Sequence, residues 1–273
     1  GHAGADHGHQ HADFESGRFH VRVDGPEQPI GDIILIPGLS SSPEVWDGLT
    51  EALKDRYRIH RIHVQGFAGA PAEDNAQGLV ATPVAADLAR YIRQQQLDKP
   101  VVIGHSMGGS SIQQVLAAAP ERVRALVALT PVSAIGVPFD EQGWQLFSAA
   151  GSDVQARRAI IDFSTGNRLT GTWLDAMAAS TQTNSDDEAV AGYLQSWAKT
   201  SFVDKIQGQQ LPVLVLPGEH DPALGEAACR ATWMQHYPSA QLEVVRNAGH
   251  YPMDETPIIL ATTIEKFLAG VPE

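Results

Sequence analysis

The feature that most constrains this chain is a rhythm: from residue 30 to 132, short apolar runs alternate with longer amphipathic stretches. DIILIPG, YRIHRIHV, VVIG and VRALVALTPV have the length and composition of strands. Between them, SSSPEVWDGLTEALKD, TPVAADLARYIRQQQ and SSIQQVLAAA carry apolar residues at helical spacing. In the second of these helices Val84, Leu88, Tyr91 and Ile92 form the stripe. In the first, Ser42, Pro43 and Glu44 mark the start, with Val45, Trp46, Leu49 and Leu53 on one face. DIILI is apolar at every second position on both sides, which suits a central strand covered on both faces. The alternation predicts an α/β fold: a mostly parallel sheet with helices on both faces.

After Val132 the rhythm breaks. Residues 133–210 hold helix-like pieces near 141–150, 153–163, 171–180 and 187–198, and no buried strand. LPVLVLPG, a helix over about 222–236, the strand QLEVVRN and a helix over about 256–269 then resume it. One α/β core (19–132 and 211–273) is therefore expected, interrupted by a helical insertion at 133–210. Residues 1–18, polar, glycine-rich and carrying His2, His7, His9 and His11, read as a disordered leader.

With 19 basic against 32 acidic residues, the net charge is −13, which repels phosphate backbones and argues against a nucleic-acid partner. No apolar run reaches the roughly 18 residues of a membrane-spanning helix. Cys229 is the single cysteine, so no internal disulfide forms; its helical surroundings suit a buried structural thiol.

Candidate chemistry begins at VVIGHSMGG, where Gly104-x-Ser106-x-Gly108 lies between an apolar strand and a helix. The pattern alone is weak, but this context is that of a nucleophile held on a sharp turn. Neighbours without bulk are needed there because the backbone is strained and closely packed. The Met107 amide would then face a reacting carbonyl, with the helix N-terminus behind it.

A serine hydroxyl needs an oriented base. Of eleven histidines, four lie in the leader, and His20, His60 and His63 lie inside strand-like runs. His105 sits in the turn itself, where its side chain is expected to point away from the nucleophile's side, and His236 is helical. His250, in the loop NAGHYPMDETP after a strand, is the candidate base. Asp221, in LPVLVLPGEHDP, is the candidate orienting carboxylate; Glu219 is its local rival, and a helix N-cap before Pro222 is the bland reading.

GHSMGG, GEHDP and NAGHYPMDETP, in that order, resemble the signature of α/β-hydrolase-fold serine hydrolases, and the likeness runs from about residue 19 to the C-terminus. The resemblance implies a Ser106–His250–Asp221 triad needing no metal or cofactor. It also implies a second oxyanion amide at Leu39, in LIPGLSSSPEVW, where Pro37 replaces the histidine the family usually carries. Ser40 and Phe67 become candidate pocket residues. The insertion takes the place of the family's cap, whose Phe139, Trp144, Trp173, Met177 and Trp197 (beside Phe147) supply candidate pocket walls. SDDE at 185–188 reads as a solvated helix start. A serine at 106 argues against dehalogenase and epoxide-hydrolase chemistry, which uses aspartate in this fold.

The expected partner is a small-molecule ester or acyl substrate with an apolar part, cleaved through an acyl-enzyme. Lactone hydrolysis, C–C hydrolysis and perhydrolysis are the alternatives on the same triad, and a ligand-binding protein with little turnover is the rival from another class. Resemblance of the loops IPGLSSSPEVW and GFAGAP to exported bacterial hydrolases leans the expected location toward periplasmic or secreted.

Overall fold

Period-two alternation inside the apolar runs sends successive side chains to opposite faces of a sheet. In the computed structural model, which describes residues 10–11, 13–78, 80–136, 140–149, 153–181, 185–198 and 201–273, that sorting builds two cores. Ile34, Ile36, Val102 and Ala128 face one side with Val84, Leu88, Tyr91, Ile112 and Val115. Ile33, Leu35, Ile103 and Val127 face the other with Trp46, Leu49, Leu53, Leu260 and Ile264.

The strands are β1 (Gln10–His11), β2 (Phe19–Asp24), β3 (Asp32–Ile36), β4 (Arg58–Val64), β5 (Val101–His105), β6 (Ala125–Leu129), β7 (Val213–Leu216) and β8 (Ala240–Leu242). Their order across the sheet is β1-β2-β4-β3-β5-β6-β7-β8. β1 and β2 run antiparallel to their neighbours, and every pair from β4 to β8 is parallel. Helices α1 (Asp47–Leu53), α2 (Ala81–Gln94) and α3 (Gly108–Ala118) make the crossovers of the first half. A 3₁₀ turn, Pro43–Trp46, precedes α1, and the Ser42 hydroxyl caps it by accepting from the Glu44 amide at 3.2 Å.

Between the adjacent strands β6 and β7 the chain makes a helical excursion: α4 (Glu141–Ala149), α5 (Val154–Ser164), α6 (Gly171–Thr181), α7 (Asp187–Ala198) and the short α8 (Val203–Ile206). α7 packs on α2, and α4 on α5 and α7. α9 (Glu226–Ala231), α10 (Trp233–His236), α11 (Pro252–Glu255) and α12 (Pro257–Ala269) complete the chain. No helix among the described residues is long and apolar enough to cross a membrane.

Three local expectations change. The leader is not structureless through residue 18: β1 pairs with β2, Phe14 stacks on Phe19 and meets Tyr91 edge-on, and the Ser16 hydroxyl donates to Asp87 at 2.6 Å. Aromatic burial outweighs the polar composition there; residues 1–9 and 12 lie outside the described residues. The helix expected over 222–236 begins only at 226, because the Asp221 carboxylate takes the amides of Ala223 and Leu224 and holds them in a turn. QLEVVRN gives only the tail of β8, with one further bridge from Gly218 to Val245, since this edge strand has one neighbour and half-exposed faces.

Candidate active site

At the end of β5 the chain must turn from strand to helix within three residues. Ser106 makes the turn with φ +56°, in the left-handed region that non-glycine residues rarely occupy. Its amide donates to the Leu129 carbonyl at 3.0 Å, and its carbonyl accepts from Gly109 at 2.9 Å and Val132 at 3.1 Å. The flanking glycines are steric necessities. A Cβ on Gly104 would lie 2.3 Å from the Gly108 carbonyl oxygen, and one on Gly108 would lie 2.6 Å from that of Ile36.

Two loops at the same edge of the sheet bring partners to the serine. After β7, Asp221 is buried; after β8, His250 is buried beside it. His250 Nδ1 lies 2.6 Å from Asp221 Oδ2, and His250 Nε2 lies 2.8 Å from Ser106 Oγ. Asp221 Oδ1 accepts from the Ala223 and Leu224 amides at 3.1 and 3.0 Å, so the carboxylate both caps the turn and meets the histidine. Burial works to raise the Asp221 pKa, but the adjacent His250 charge and these hydrogen bonds outweigh it and hold the carboxyl below its ordinary value. Glu219, the local rival, is turned elsewhere: it accepts from the Asn247 amide at 2.9 Å and pairs with Arg246.

The loop after β3 closes the other side. A Cβ on Gly38 would stand 3.4 Å from that of Ser106, so the backbone of this loop rests directly on the serine. The Ser41 amide donates to the Gly38 carbonyl at 3.2 Å, and Ser40 has φ +55°, which makes a tight turn around Leu39. Leu39 and Met107 are both buried, and no acceptor among the described residues takes either N–H.

His105 is the clearest departure from expectation. It does not turn away from the site: its ring centroid lies 5.0 Å from that of His250, and its Nε2 lies 2.7 Å from the His250 carbonyl oxygen. A carbonyl can only accept, so Nε2 carries the proton, and full burial pushes the His105 pKa down to about 3. His105 is thus a neutral donor beneath the candidate base. Thr130 Oγ1 adds a second donor to the same carbonyl at 3.3 Å, while the His250 amide donates to Ser164 at 3.0 Å.

The candidate pocket residues divide. Ser40 is buried, and its hydroxyl accepts from Arg157 of α5 at 3.4 Å. Arg157 also reaches the Leu39 carbonyl and the Ser41 hydroxyl, at 3.5 and 3.4 Å; motif reading gives no hint of this arginine. Phe67 is fully buried and tilted against Tyr193, so it serves as core. Met177 packs with Ile161, Leu174 and Tyr251, the neighbour of His250. Trp197 is buried, with its indole N–H on the Ser133 carbonyl, and Trp144 and Phe147 lie half-buried on the larger core. Trp173 is a correction: 62% of it is exposed on the outer face of α6, because Leu174, Met177 and Ala178 take the inner face. Phe139 lies outside the described residues. Cys229 is buried, which raises its thiol to about 12, as suits a structural role. No group of three or more metal-ligating side chains occurs among the described residues.

Relatives agree with this architecture. The chain is 26% identical to the esterase YbfF of Escherichia coli over 259 residues, covering 86% of this chain and 92% of that one. It is 24% identical to the carboxylesterase YbfK of Bacillus subtilis, over 93% of this chain and 85% of that one. Among solved structures, an enol-lactonase from Burkholderia xenovorans superposes with a TM-score of 0.79 at 20% identity, over 95% of this chain and 100% of that one. The profile described as the alpha/beta hydrolase family matches residues 33–262. With its strand order, its strained serine and that match, the chain belongs to the alpha/beta hydrolase family.

Proposed function

We propose that the protein is a serine hydrolase of carboxylic esters, with Ser106 as nucleophile, His250 as base and Asp221 as its orienting carboxylate. The observation that carries this reading is the continuous hydrogen-bonded line Asp221–His250–Ser106, with distances of 2.6 and 2.8 Å, ending on a serine at φ +56°. The relatives described as an esterase and a carboxylesterase support the substrate class.

In this scheme Ser106 Oγ attacks the ester carbonyl carbon while His250 Nε2 accepts its proton. The ionised, buried Asp221 stabilises the imidazolium and holds Nδ1–H toward itself. The amides of Leu39 and Met107 donate to the oxyanion; the α3 N-terminus, just after Met107, adds its dipole. Collapse of the adduct breaks the bond from carbonyl carbon to alkoxy oxygen, and His250 returns its proton to the leaving alcohol. Water, deprotonated by His250, then attacks the acyl carbon; the bond to Ser106 Oγ breaks, His250 returns the proton to that oxygen, and the carboxylic acid is released. Residues 133–210 are read as a cap, supported by the packing of Met177 with Tyr251, the neighbour of His250.

Short p-nitrophenyl esters test the scheme. Ser106→Ala and His250→Ala are each expected to lower kcat by at least about 10⁴-fold. Retention of turnover by Ser106→Ala would overturn it. A γ-lactone run in parallel reads the neighbouring substrate class on the same triad.

A further inference from the structure

The loop carrying His250 is held by a device that lies outside the triad. Glu255, on α11, turns its carboxylate back toward the loop, and only 3% of that side chain is exposed. Oε2 accepts from the Tyr251 amide at 2.9 Å, and the two carboxylate oxygens accept from the Gly249 amide at 2.9 and 3.0 Å. The peptide N–H groups on either side of His250 are therefore bound by one side chain.

That carboxylate is in turn held from the helical excursion. Arg168, between α5 and α6, meets Glu255 Oε1 at 2.5 Å and donates to the Asn247 carbonyl at 2.7 Å. Its own loop is seated against both the loop of His250 and that of Asp221. A Cβ on Gly249 would lie 2.5 Å from Thr165 Cα, and one on Gly166 would lie 2.9 Å from the carbonyl oxygen of His220, next to Asp221. The Ser164 carbonyl takes the His250 amide at 3.0 Å. A segment expected only to roof the site thus holds the His250 loop directly, through the Ser164 carbonyl on the His250 amide and Arg168 on the Asn247 carbonyl, and indirectly through Glu255.

We propose that the Arg168–Glu255 pair is a positioning device for His250, which ties the conformation of the 164–168 loop to the alignment of the base with Ser106. It rests on the reading of His250 as base. Arg168 pairs with this nearly buried carboxylate while its two oxygens accept from both amides; without the arginine the buried carboxylate loses the partner that fixes its orientation toward them. A misalignment of the base by about 1 Å costs on the order of 10²-fold in rate.

The test compares Glu255→Gln, Arg168→Met and Arg168→Lys with wild type. The readouts are kcat and KM on p-nitrophenyl butyrate, the rate of Ser106 labelling by a fluorophosphonate, and Tm. Glu255→Gln and Arg168→Met are expected to lower kcat and labelling together by about 10- to 100-fold, with KM within about two-fold. Arg168→Lys keeps a cationic donor opposite Glu255 and is expected to recover most of the loss. Glu265→Gln, which removes the surface pair with Arg56 (2.7 Å), is expected to leave kcat unchanged. Should Glu255→Gln not fold, Arg168→Met decides, since the arginine side chain is 24% exposed. The proposal is overturned if Arg168→Met folds and keeps wild-type kcat, or raises KM alone, while His250→Ala is inactive. If His250→Ala and Ser106→Ala are themselves active, the hydrolase reading fails instead.

Discussion

Gly108 shows how narrowly the nucleophile's turn is specified at the scale of one residue. Its missing side chain lets the start of α3 press against the end of β3, where the Ile36 carbonyl would otherwise be struck at 2.6 Å by a backbone-fixed methyl group. Gly108→Ala is therefore expected to cost about 1–3 kcal/mol by overpacking, measured by urea unfolding, and to lower ester turnover by displacing Ser106. At this scale the candidate residues are legible in the sequence: a strained serine needs glycines beside it, Asp221 follows the buried run of β7, and His250 follows the half-exposed edge run that opens in β8. Glu255, Arg168 and Arg157 are not legible. A carboxylate binding two nearby amides has no distinct residue pattern, and the arginines approach from the helical excursion, distant in sequence. His105's place in the turn beside Ser106 says nothing about which loop folds down over its ring.

Among elements, α2 is informative. Its own N-cap position, Val80, has no polar side chain to offer, and the missing acceptor comes from another helix. Ser196 of α7 accepts from the amides of Val80 and Ala81 at 2.9 and 3.1 Å and donates to the Gly192 carbonyl at 2.9 Å. The cap of a core helix is thus supplied by the excursion. Ser196→Ala leaves a buried helix start short of its acceptor, and a loss of about 1–2 kcal/mol in thermal or urea unfolding is expected. Helix positions in the excursion follow from spacing within a residue or two, but orientation does not always. In GTWLDAMAAS apolar residues lie all round the helix, so nothing local says that Leu174 and Met177 turn inward and Trp173 outward.

Taken as a whole, the molecule buries several histidines in the neutral state, and this shapes its response to acid. His105 is pushed down to about 3 by burial; His60, sealed beside Asp32 and Tyr91, is lowered for the same first reason. Each folded value lies below the unfolded one of about 6.5, so the unfolded chain binds the proton first. The stability these groups provide is fully present above about pH 6.5 and declines as the pH falls toward the folded values. For His105 the decline is at most about 1.4 kcal/mol per pH unit in that window. The urea midpoint is expected to fall from pH 7.5 to pH 5, and less steeply in His105→Asn. An equal slope in the variant would remove His105 from the account.

The order of elements along the chain carries a practical consequence. Ser106 and the two proposed oxyanion amides lie before residue 133, whereas Asp221 and His250 follow β7, and the halves are zipped together by parallel pairing of β6 with β7. The connection just ahead of β7 is exposed at Gln207 and Gly208, and the latter has φ +85° with open space around it. Cutting the chain there would yield two fragments, one with a nucleophile and no proton acceptor, the other with the reverse. Neither could turn over an ester alone, so colour from a chromogenic substrate would report their reunion, making the fold a candidate two-part sensor of proximity.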